Sequence, residues 1–127
     1  MDGKTLIARL RFAYQEHERS TQVLADAAEI LVAREQAFAD AEFEAIRTGK
    51  IVGKNAEERK ASAAFLLQDQ EAMVRTDKMI FAQAKTDHAL TQLAIDLIRT
   101  ELRIAELFGP DVVDSDPLLA DDEEDDV

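Results

Sequence analysis

Two long stretches without glycine or proline constrain this fold more than any other feature. One runs from Lys4 to Thr48 and the other from Asn55 to Phe108. Ala, Leu, Glu, Arg and Gln dominate both, and such residues lose little freedom on entering a helix. Gly3, Gly49, Gly53 and Gly109 fall at the edges of the stretches, where helix ends and turns use glycine. No strand-like alternation competes with the helical pattern. Lys50-Ile51-Val52 is rich in β-branched residues, but it lies between two glycines and reads as a loop. No tandem repeat is visible. The expected fold is all-α, an elongated helical hairpin or coiled-coil-like bundle, with helices over about 4–48, 55–67 and 70–108.

The first stretch has a seam with a 3.5-residue period: Ile7, Leu10, Tyr14, His17, Thr21, Leu24, continuing through Ala28, Leu31, Glu35, Phe38, Glu42 and Ala45. Its middle, His17 to Gln22, is polar all round. Either this part is solvated, or it splits the helix, with Ser20 or Thr21 capping the second half. Unbroken, the helix is roughly 65 Å long. The second stretch opens on Asn55, placed to cap a helix by accepting from the Glu58 amide, with Glu58 reaching back to Asn55. Asp69 offers another start. From there one apolar stripe runs through Met73, Ile80, Ala84, Thr91, Ile95, Ile98, Leu102 and Ala105. A second runs through Leu90, Leu93, Leu97, Ile104 and Leu107. A two-helix hairpin cannot bury both, so the second stripe is expected to be an oligomer interface.

Charge separates the chain into a body and a tail. Of 27 acidic residues, nine lie in 111–127, where there is no base. Residues 1–110 hold all 15 bases and a net charge of only -3. Both prolines, Pro110 and Pro117, mark the change. A run such as Asp121 to Asp126 repels itself and buries nothing, so 111–127 reads as a disordered acidic tail. It would serve solubility, or dock on a basic partner.

The absence of cysteine removes disulfide, thiolate-metal and thiol-nucleophile chemistry. No apolar run is long enough to span a membrane. The N-terminal apolar stretch is too short for a signal peptide, and the expected location is cytoplasmic. Only His17 and His88 are histidines, and neither has di-metal or metalloprotease spacing. They would meet if one continuous second helix folded back near residue 51, and would separate if the chain bent at Asp69. No catalytic constellation appears, so an enzyme is not expected, nor is a cofactor.

Lys4, Arg9, Arg11 and Arg19, with Phe12 and Tyr14, form a basic, aromatic piece compatible with single-stranded nucleic acid. Glu16, Glu18 and the tail oppose that reading. Gly49-Lys50-Ile51-Val52-Gly53-Lys54 precedes a helix start, an arrangement that can bind anions, but it lacks P-loop spacing. Lys50, Lys54, Asn55 and Arg59 are the candidate anion- or partner-binding residues.

The run Gly53-Lys54-Asn55-Ala56-Glu57-Glu58-Arg59-Lys60-Ala61 resembles a motif in small helical proteins encoded by tailed bacteriophages. In those proteins the motif also follows a first helix and precedes a long one. The resemblance covers about residues 25–108 and does not include the acidic tail. It implies a role inside an infected host cell, without specifying an activity. The resulting expectation is a non-enzymatic phage accessory protein. It would self-associate and bind a host or phage protein, in DNA metabolism or host takeover. The alternatives are a sponge for an anionic nucleotide signal, acting against host defence, and a virion assembly or scaffolding component.

Overall fold

The computed structural model describes residues 2–109. The acidic segment 111–127, expected to be disordered, lies outside them. The described chain is all-α, with helices α1 (Gly3–Arg47), α2 (Ala56–Leu66) and α3 (Gln68–Phe108). No strand occurs among the described residues.

The helix ends follow from local chemistry. Asp2 caps α1, its carboxylate accepting from the Thr5 amide at 2.8 Å. That hydrogen bond, followed by one from the Thr5 side chain, lowers the Asp2 pKa below its ordinary 3.8. At the other end Gly49 adopts φ 73°. Its N–H donates to the Ile46 carbonyl at 3.1 Å, and the Lys50 N–H donates to Ala45 at 2.9 Å. This pair of bonds is a Schellman closure, which satisfies carbonyls that the helix leaves open. Asn55 caps α2 as expected, accepting from the Glu58 amide at 2.9 Å. The return bond differs from expectation: the Glu58 carboxylate accepts from the Lys54 N–H at 2.8 Å, one residue before Asn55.

The expected start of a new helix at Asp69 is corrected to a pivot at Leu67. The Leu67 N–H still donates to Ala63 at 2.9 Å, and its carbonyl accepts from Glu71 at 3.0 Å. Backbone bonding of helical spacing thus continues on both sides of one residue with φ -106° and ψ 16°. Asp69 lies inside the first turn of α3, where a carboxylate complements the positive end of the dipole.

The body expected over 1–110 divides into two compact units, described separately below. Unit 1 comprises the chain up to Thr21 and from Thr86 onward, and unit 2 comprises Gln22–Lys85. In unit 1, α1 runs antiparallel to α3: Arg9 pairs with Glu101 at 3.4 Å, and His17 bonds Thr91 at 2.9 Å. Leu6 and Ile95 are fully buried, and Ala13, Ile95 and Ile98 form a cluster with Leu10 and Leu102 packed against it. Burying each large aliphatic side chain contributes roughly 1.5–3 kcal/mol.

Unit 2 is built on small residues. Ala27, Ala45, Leu67 and Ala84 are its buried apolar side chains. Its buried polar residue is Asp77, whose carboxylate accepts from Arg34 Nε at 2.8 Å. Arg34 remains largely exposed, with its side chain 45% accessible. A carboxylate taken out of water needs such a partner.

Half of the expected α1 seam is displaced by one residue. Leu10, His17, Leu24, Leu31, Phe38 and Ala45 are half-buried or buried as expected. The positions between them are Leu6, Ala13, Ser20, Ala27 and Ala41, each one residue before the expected one, while the expected Ala28 is half-buried beside Ala27. Ile7 and Tyr14 are correspondingly 47% and 46% exposed. Spacings of three and four alternate along any such seam, and at 6/7, 13/14 and 27/28 the sequence offers apolar residues at both choices. Alanine at 13 in place of Tyr14 and at 41 in place of Glu42 favours close helix approach, because interaxial distance follows side-chain size. On α3 the first stripe holds from Ala84 to Ala105, but Val74, Asp77 and Phe81 replace Met73 and Ile80.

Candidate interaction surface

The polar middle of α1 does not break the helix. Its side chains pair across unit 1 with a matching polar stretch of α3. The Thr91 hydroxyl lies 2.9 Å from His17 Nδ1 and 2.9 Å from Ser20 Oγ. His88 Nε2 lies 3.1 Å from Thr21 Oγ1. The two imidazole rings face each other with centroids 4.5 Å apart and planes tilted by 34°. The histidines therefore meet even though the helix is interrupted at Leu67, contrary to the expectation that a break would separate them. This layer is nevertheless not a metal centre of three or more ligands. Among the described residues no group of three or more His, Asp or Glu could hold an ion.

Beside this layer is a groove of about 540 Å³ between α1 and α3. Ala8, Phe12 and Ala13 line one side, and Leu90, Ala94 and Ile98 the other, with Arg9 and Glu16 also on the α1 side. Phe12 is 62% exposed. The alanines leave a hollow and Phe12 and Leu90 stand proud of it, so one face presents both a protrusion and a recess. Sequence reading did not find this groove. Its signal was the set Ala8, Phe12 and Ala94, small and large apolar residues outside either expected stripe.

Of the five residues expected to form an oligomer interface, Leu90 lines the groove. Leu93, Leu97, Ile104 and Leu107 do not, and all five are exposed. At 100° per residue Leu97 projects near Leu90 on α3, so the apolar surface continues from the groove onto the stripe.

The expected anion-binding residues do not converge. Lys50 lines a separate hollow of about 240 Å³ with Glu44, Thr48 and Gln70. Asn55 is engaged as the helix cap, and the Lys54 amide is bonded to the Glu58 carboxylate. The Arg59 guanidinium donates to the Gly53 carbonyl at 3.4 Å. These groups answer one another, and a negative carboxylate sits where an anion would approach. In the basic, aromatic N-terminal piece, Arg9 pairs with Glu101 and Arg19 with Glu16.

The fold and surface together define a helical chain with a long apolar face in contact with solvent. Comparison with protein-family models, curated proteins and solved structures finds no match to this chain. No helix among the described residues is long and apolar enough to cross a membrane.

Proposed function

We propose that this protein is a non-enzymatic interaction protein that self-associates through its exposed α3 stripe and binds a second protein. One observation carries the reading: Leu90, Leu93, Leu97 and Leu107 are each more than half exposed on a single helix face. A contiguous apolar face of this kind is a surface awaiting a partner. The resemblance to tailed-phage proteins supports placing that partner inside an infected cell, among host or phage proteins of DNA metabolism or host takeover. The nucleotide-sponge reading has less support, because its residues Lys50, Lys54 and Arg59 lie apart or are engaged with neighbouring groups. The scaffolding reading shares the exposed stripe and differs only in the partner.

The test combines light scattering with affinity capture, using the full chain from phage-infected cells. The expected result is a mass that is a multiple of 14.2 kDa and one co-purifying protein at fixed stoichiometry. Leu93→Asp with Leu97→Asp should abolish capture. A monomer that retains nothing at high bait concentration would sink the proposal.

A further inference from the structure

The groove of unit 1 carries complementary charges spaced for a two-fold axis. Arg9, Phe12 and Glu16 all line it, and at 100° per residue they fall on one face of α1. If a second α1 crosses antiparallel with the axis between residues 12 and 13, residue 9 of one copy faces residue 16 of the other. Arg9 then meets Glu16 of the second copy, and the same pair recurs across the axis. This self-matching is what an isologous contact requires.

Shape follows the same symmetry. Phe12 lies next to the axis and is 62% exposed. With that axis Phe12 of each copy faces Ala13 of the other, in a groove of about 540 Å³ that Ala13 and Ile98 line. Each copy thus presents one aromatic protrusion and one recess that can receive it. Buried aromatics at the centre of an interface dominate its energetics. The charged rims keep their present partners, because Arg9 pairs with Glu101 and Glu16 with Arg19. Docking would join these pairs into a row of alternating sign, Glu101, Arg9, Glu16 and Arg19, with the middle link crossing between copies. Exposed pairs hold their geometry weakly, so small side-chain shifts suffice.

We infer that this groove is the contact between two copies of the chain, closed by reciprocal insertion of Phe12 and by two Arg9–Glu16 pairs related by a two-fold axis. The inference rests on the proposed self-association and adds a contact on α1 to that of the α3 stripe.

The experiment is sedimentation equilibrium on the full chain with four variants. Arg9→Glu and Glu16→Arg each place like charges opposite one another twice, and each should weaken self-association about tenfold. Mixing those two single variants should restore wild-type affinity as a heterodimer, because each then meets its complement. The double variant R9E/E16R should also recover. Phe12→Asp, at a position whose side chain is already exposed, should weaken self-association at least as much as either single charge reversal, with unchanged helicity. Circular dichroism separates loss of association from loss of fold. Self-association that survives every variant would overturn the groove and leave the self-association reading standing. A wild-type chain that stays monomeric overturns both. A monomer whose Phe12→Asp variant loses a captured partner assigns the groove to a different protein and refutes the second copy.

Discussion

Units 1 and 2 use the same helix pair in different ways. Unit 1 concentrates its burial in Leu6, Ile95 and Ile98 and places a polar layer beside them. Unit 2 spreads its burial over alanines and Leu67, and one guanidinium–carboxylate pair carries its polar specificity. The contrast separates two tasks. Large aliphatic side chains supply transfer free energy. Small ones supply proximity, and the polar groups then decide which residues face each other. A seam of alternating three- and four-residue steps cannot choose its own register by hydrophobicity alone.

Four substitutions or conditions test that contrast, in order of expected effect. Ile95→Ala should lower stability by about 2–4 kcal/mol, as large-to-small changes at fully buried sites do. Denaturant unfolding followed by circular dichroism measures it, and a loss below about 1 kcal/mol would mean that unit 1 is not held by its apolar cluster. Gly53→Ala should cost about 2 kcal/mol in thermal unfolding. Gly53 has φ 153°, and an added Cβ would sit 2.7 Å from the Arg59 amide nitrogen. Gly49→Ala has open space around it and should cost less, so equal losses would contradict the steric account.

Arg34→Ala should destabilise by about 1–2 kcal/mol, less than a fully buried pair because the guanidinium is partly solvated. Adding Asp77→Asn should recover part of that loss. Absence of any coupling in the double-mutant cycle would remove the pair as the polar determinant of unit 2.

The smallest effect is at the start of α1. Asp2 is depressed in the folded state by the Thr5 amide. Its contribution is therefore present above the unfolded value of 3.8 and is lost as pH falls through the lower folded value. Hydrogen exchange at the Thr5 amide should speed up in that acidic window. An Asp2→Ala chain should show no such dependence.

Helix existence was legible because nothing in Lys4–Thr48 or Asn55–Phe108 interrupts a helix. The Asn55 cap was legible for the same local reason. Facing was only half legible. Leu10, His17 and Leu24 were assigned to the seam correctly, but Ile7 and Tyr14 were preferred to Leu6 and Ala13. Between Ala13 and Tyr14 hydrophobicity favours the larger residue, whereas helix proximity favours the smaller one; Leu6 and Ile7 are equal in size, and there only the partner helix, which periodicity does not see, decides. Asp77 was missed because an acidic residue inside an apolar stripe reads as an interruption until Arg34 is placed opposite it. The groove was missed because Ala8, Phe12 and Ala94, which help to line it, lie outside either expected stripe. Asp2 was overlooked as a cap although Asp-Gly-Lys-Thr places a carboxylate three residues before an amide.

The His17–Thr91 layer also fastens each of its threonines twice. The hydroxyl of Thr21 donates to the His17 carbonyl of its own helix, and that of Thr91 to the His88 carbonyl of its own. The same two hydroxyls meet the imidazoles of the opposite helix, Thr91 at His17 and Thr21 at His88. Each threonine is thus a rivet whose shank is held by its own backbone and whose head holds a ring from across the seam, so sliding one helix along the other would have to break bonds at both ends of the layer at once.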